Sequence, residues 1–214
     1  MPPPTAADIE ATLREMPPTG VEAWRDLRRR WSRALRSESG AAVVKIARRL
    51  DADAPWGRLT AYELIVSHPA AVQSLTTADV LALGRGLADW GSVDAFACYV
   101  AGPAWREGRL PTRQIEAWLR SSDRWLRRTA VVCTVALNVP ARGGSGDAGR
   151  TLAVCRRVVA DRDDMVVKAL SWALRSLIQW DAKAVEAFLA KHEQALAARV
   201  KREVRSKLRT GRKT

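Results

Sequence analysis

Apolar residues recur three and four positions apart along nearly the whole chain, which is the period of a helix with one buried face. Leu126, Ala130 and Leu137 mark one such face, and Val167, Leu170, Leu174 and Leu177 another. No stretch alternates apolar and polar residues between hairpin turn signals, so no strand is expected. The pattern predicts helices over about 6–15, 21–36, 39–51, 57–67, 77–88, 90–100, 111–120, 123–138, 148–160, 164–179, 182–190 and 193–209. Thr77 before Ala78-Asp79, Ser122-Asp123 before Trp-Leu-Arg-Arg, and Asp163-Asp164 before Met-Val-Val-Lys read as helix starts. Pro17-Pro18, Gly102-Pro103 and Pro111 read as breaks, and the segment PARGGSGDAG over 140–149 as a flexible tip.

Short helices joined by short turns predict stacked antiparallel pairs. Asp123-x-Trp-Leu-Arg and Asp164-x-Val-Val-Lys match at an offset of 41 (164 minus 123), inside the HEAT and armadillo range. The expected fold is therefore all-α: HEAT-like helical-pair repeats forming a curved solenoid with a concave basic face, an irregular helical bundle being the alternative. The chain divides into an N-terminal segment with a short helix (1–20), one HEAT-like domain (21–209) and a basic tail (210–214).

Composition adds the partner. Lys and Arg number 36 against 23 Asp and Glu, a net charge of +13 with a pI near 10.7. Such an excess favours a polyanion: duplex DNA, RNA or an anionic membrane surface. A spanning helix needs about 20 apolar residues, and the longest run, Ala130 to Leu137, is interrupted by Thr134. The opening MPPPTAADIE has neither a basic n-region nor an apolar h-region, so the chain is expected to be cytoplasmic and nucleoid-associated. Cys98, Cys133 and Cys155 form no CxxC and the two histidines lie far apart, which predicts buried thiols, no metal and no cofactor.

Nine tryptophans stand against two tyrosines and two phenylalanines, and three of them keep polar company. Trp90 and Asp94 are four apart and share one helix face. An indole wall and a carboxylate can together stabilise a positive charge, although such a pair taken alone is more often a half-buried aromatic beside a solvated acid. In Arg124-Trp125-Leu126-Arg127-Arg128 the apolar pair faces the core. Arg127 and Arg128 are left to grip phosphate oxygens or to form a solvated basic face. In Lys168-Ala-Leu-Ser-Trp172-Ala-Leu-Arg175 the bases Lys168 and Arg175 flank Trp172, which reads as a core indole or as part of a binding surface. From Arg199 to Lys213 there are eight bases and one acid, with Leu196, Val200, Val204 and Leu208 as one apolar stripe. That segment reads as a docked helix near phosphates or a solvated tail.

These segments, in this order from about Ser39 to Leu208, resemble the AlkD-like DNA alkylation repair family of HEAT-repeat DNA glycosylases. The resemblance rests on Trp90-Gly-Ser-Val-Asp94, Trp125-Leu-Arg-Arg128 and Val167-Lys-Ala-Leu-Ser-Trp172-Ala-Leu-Arg175, with Lys201-Arg-Glu-Val adding a weaker match. Residues 21–36 match the family's opening helices only loosely. The resemblance implies a monomer that holds duplex DNA containing alkylated bases in its concavity and excises 3-alkyladenine or 7-alkylguanine without base flipping. It implies that Asp94 is catalytic, that Trp90 and Trp172 lie against the lesion's deoxyribose, and that Arg128 contacts the DNA backbone. Arg127, Lys168 and Arg175 are further candidates for DNA contact. The alternatives are a non-catalytic protein binding damaged or branched DNA on the same scaffold, and a protein-interaction solenoid.

Overall fold

The computed structural model describes residues 3–17, 20–50, 52–54 and 56–212. Parts of three expectations (Pro18 of the first break, Asp51 at a helix end, Lys213 and Thr214 of the basic tail) lie outside them. Among the described residues there are helices and turns and no strand. The α-helices are α1 (Ala6–Arg14), α2 (Val21–Ala34), α3 (Gly40–Arg49), α4 (Gly57–Val66), α5 (Pro69–Ser74), α6 (Thr77–Leu83), α7 (Trp90–Phe96), α8 (Gly102–Arg106), α9 (Thr112–Leu119), α10 (Arg124–Asn138), α11 (Ala148–Arg157), α12 (Asp164–Lys191) and α13 (Ala198–Thr210). A π-helical turn, Ala97–Ala101, joins α7 to α8.

One layer of helices stacks in chain order. Helix α4 packs on α7 and the π turn, α10 on α7, the π turn and α8, α12 on α10, and α13 on α12. Helices α9 and α11 pack against each other and against α10, with α11 also touching α12. Helix α10 is thus covered by neighbours, and every residue from Arg128 to Asn138 is buried. A helix apolar on nearly all sides needs that position. Its polar end is satisfied internally. Asn138 donates to the Thr134 carbonyl (2.9 Å) and the Thr151 hydroxyl (2.8 Å), and its side-chain oxygen accepts from the Asp147 amide (3.0 Å).

The starts of α10 and α12 are built alike. The Asp123 carboxylate accepts from the Trp125 amide at 2.8 Å, and Asp163 accepts from Met165 at 2.9 Å. The matching acids are therefore 40 apart (163 minus 123), one fewer than the offset expected, because Asp163 rather than Asp164 is the cap.

Several boundaries differ from the pattern. The start of α6 is capped by Thr76, not Thr77, in a reciprocal box with Asp79. Helix α5 was not expected; Pro69 opens it and the His68 ring nitrogen accepts from Ala71. Gly102-Pro103 does not break the chain's helical course. The widened π turn, in which the Gly102 amide reaches the Ala97 carbonyl, precedes a proline that has no amide to place, and a wide turn relieves its ring's usual clash one turn back. The helices expected over 164–179 and 182–190 meet at Asp181, whose extended backbone (φ −150°, ψ 76°) kinks α12 while its carboxylate caps the Ala184 amide. No helix among the described residues is long and apolar enough to cross a membrane.

Candidate functional site

Asp89 caps α7, accepting from the Ser92 amide (2.9 Å) and hydroxyl (2.6 Å). That cap makes Trp90 the first helical residue, and its side chain is open to solvent at 63% exposure. One turn on, Asp94 meets α10. Arg128 offers its fork to the carboxylate, with Nε 2.9 Å from Oδ1 and Nη2 2.7 Å from Oδ2. Its remaining nitrogen donates to the Met165 carbonyl at the start of α12. Arg128 is only 5% exposed. A two-pronged charged contact of this kind fixes the carboxylate's orientation as well as its charge. Burial raises the Asp94 carboxyl above its ordinary range, against the opposing pull of Arg128 and Arg142.

Arg142 completes the cluster. It projects from the segment after α10, and its guanidinium carbon lies 5.5 Å from the ring centre of Tyr99 and 5.5 Å from that of Trp172. It also donates to the Cys98 sulfur. Burial pushes that thiol up to about 12, so it is neutral and adds no counter-charge. One guanidinium therefore grips the Asp94 carboxylate directly, and the charge of a second reaches it through space.

This segment is not the flexible tip that its composition predicts. The Gly146 amide donates to the Leu137 carbonyl (3.0 Å), Gly144 to Val139 (3.1 Å), and Arg106 donates to the Arg142 carbonyl (2.8 Å). Trp180 and Gln179 of α12 donate to the Asn138 carbonyl at 2.7 and 2.8 Å. A Cβ on Gly146, whose φ is +90°, would come within 2.7 Å of the Trp180 ring, so the glycine is needed for both conformation and space.

Of the candidates from sequence, Arg128 is joined to Asp94 and Trp172 lies against Arg142, whose charge reaches Asp94, with Trp90 one turn N-terminal to Asp94. Arg128, expected to face the DNA backbone, is turned inward instead, because Asp94 and the Met165 carbonyl claim its donors. Arg127 is held by Asp161 (2.7 Å) and by the carbonyls of Ser121 and Ser122 (3.0 and 2.8 Å), tying the start of α10 to the turn before α12. Arg175 bonds the Ser171 hydroxyl (3.2 Å) and pairs with Glu203 of α13 at 3.7 Å. Lys168 remains about two-fifths exposed, paired with Asp164 on the first turn of α12. Tyr99 and Arg142 were missed. The one available signal was a lone base set among the glycines of 140–149.

A family model described as DNA alkylation repair enzyme matches residues 5–208. No curated protein and no solved structure matches.

Proposed function

The chain belongs to the DNA alkylation repair enzyme family, and from that membership we propose that it is a monofunctional DNA glycosylase. Its substrates are cationic purines, 3-alkyladenine and 7-alkylguanine, in duplex DNA, and it removes them without base flipping. The observation that carries this reading is Asp94: a part-buried carboxylate, oriented by the Arg128 fork, one turn from the exposed Trp90 indole and within electrostatic reach of Arg142, which lies against the half-buried Trp172. Alkylation at a ring nitrogen makes the base cationic, so the glycosidic electron pair departs with it and the base leaves neutral. Positive charge then develops on the deoxyribose. Asp94 stabilises that charge, and the faces of Trp90 and Trp172 add to the stabilisation. Water attacks the anomeric carbon and passes a proton to Asp94. The products are free base and an abasic site.

On this reading Arg128 is a positioning residue, and Lys168 and the basic α13 supply phosphate contacts. Arg127 and Arg175 serve the scaffold, their donors being engaged within the protein. The stacked layer ending in α13 is a HEAT-like solenoid whose basic concave side holds the duplex, and the protein acts as a monomer in the cytoplasm, associated with the nucleoid. The test is release of 7-methylguanine from methylated duplex by purified protein, with release lost in Asp94→Asn. Equal background release by both proteins would defeat the enzymatic reading. One observation favours a second reading, binding without excision: Asp94 is already charge-matched by Arg128. Retained duplex affinity with no base release would select it, and measurable excision would rule it out.

A further inference from the structure

The space between the Tyr99 and Trp172 rings, within electrostatic reach of Asp94, has what a cation site requires, two aromatic faces and a carboxylate. A cation from the chain itself already fills it. Arg142 sits 5.5 Å from both ring centres, next to a thiol that stays neutral, and its positive charge is one more than Asp94 and Arg128 balance between them. Resting on the DNA-binding part of the proposed function, we propose that Arg142 is a gate. It occupies the aromatic cleft in the free protein and is drawn out by a phosphate of the bound strand, which frees Tyr99, Trp172 and Asp94 to face the sugar.

The physical argument is one of competing partners. Inside, the guanidinium has two rings that each give a modest stabilisation, a neutral thiol, and a carboxylate whose charge Arg128 already matches, whereas a phosphate oxygen pair gives it a full negative charge and a two-pronged fit. The backbone of the segment is anchored by Arg106 and by the Gly144 and Gly146 amides, so the movement is that of a long side chain on a fixed base. With Arg142 inside, a developing sugar cation would meet a site of net positive charge. With Arg142 on a phosphate, the same site is neutral and its aromatic walls are free. The gate thus couples duplex binding to the charge state the chemistry needs.

The experiment uses undamaged duplex, so that it reads the gate and not excision. Tyr99→Leu removes one wall and loosens Arg142 from the cleft. Duplex affinity is then expected to tighten by about two- to fivefold, the value of one such aromatic contact, and this gain should vanish when Arg142→Gln is added. Arg142→Gln alone should flatten the dependence of log affinity on log salt by about 0.9, one phosphate contact, while Arg142→Lys should keep the slope. A Tyr99→Leu effect that is absent, opposite in sign, or equal in both backgrounds overturns the gate. So does an unchanged slope in Arg142→Gln, which decides alone if Tyr99→Leu does not fold. Wild-type protein that fails to bind duplex overturns the gate together with the DNA reading. Binding with no Arg142 effect overturns the gate only.

Discussion

Replacing Arg128 with Met tests how much of the site's order resides in one ion pair. The substitution removes both prongs on Asp94 and the donor to the Met165 carbonyl, leaving a carboxylate with 17% of its side chain exposed and its main partner gone. Breaking a buried pair from one side costs about 3–5 kcal/mol, since the remaining charge has been desolvated without compensation. Asp94→Asn is milder, at about 1.5–3 kcal/mol, because an amide oxygen still accepts from Arg128 and the guanidinium keeps its Met165 contact. The double variant should cost less than the sum by about 2–3 kcal/mol. Urea unfolding of the four proteins measures these differences, provided the slopes agree. The pH dependence sharpens the test. Burial already raises Asp94, and Arg128 is foremost among the groups opposing the rise, with Arg142 behind it. Without Arg128 the carboxyl rises further, the folded state prefers the proton, and stability is lost as pH increases through the raised value. The Arg128→Met deficit should therefore be largest at neutral pH and shrink under acid. Additive single effects, within about 0.5 kcal/mol, or a deficit that ignores pH, would refute the argument.

Two further outcomes concern the scaffold. Gly40→Ala places a Cβ 2.0 Å from the Ala70 carbonyl oxygen, so α3 and α5 must separate. The expected loss is about 1–3 kcal/mol, read as a fall in Tm of about 2–4 °C per kcal/mol, and an unchanged Tm would show that the contact yields freely. Thr76→Ala removes the α6 capping box, at about 1 kcal/mol. Burial pushes the Asp79 carboxyl up, yet Thr76 and Arg48 hold it below its ordinary range. That stabilisation is present at neutral pH and lost as pH falls through the lowered value, so the variant's deficit should fade in acid.

Periodicity made most helices legible because they bury a single stripe, whereas α4, α8, α10 and the first half of α12 are buried more broadly. It failed where an element is too short to show a period. The six residues of α5 contain fewer than two turns, and Pro69, which reads as a breaker, occupies the first-turn position where proline is welcome. It failed again at Gly102-Pro103, where a π turn absorbs what would stop an ordinary helix. Asp94, Arg128 and Trp172 could be singled out in advance, because helical spacing and residue type are local properties. Their mutual arrangement could not. That Arg128 spends its fork on Asp94 depends on α7 and α10 lying side by side, a contact between residues 34 apart. Arg142 was hidden for a related reason. A glycine-rich segment reads as mobile when its glycines are counted, whereas here Gly146 is small so that the segment can close against Trp180 and deliver one arginine to the cleft. Composition cannot distinguish a glycine that permits motion from one that permits approach. Only the neighbour does, and in this molecule the neighbour is more than 30 residues away along the chain, on α12.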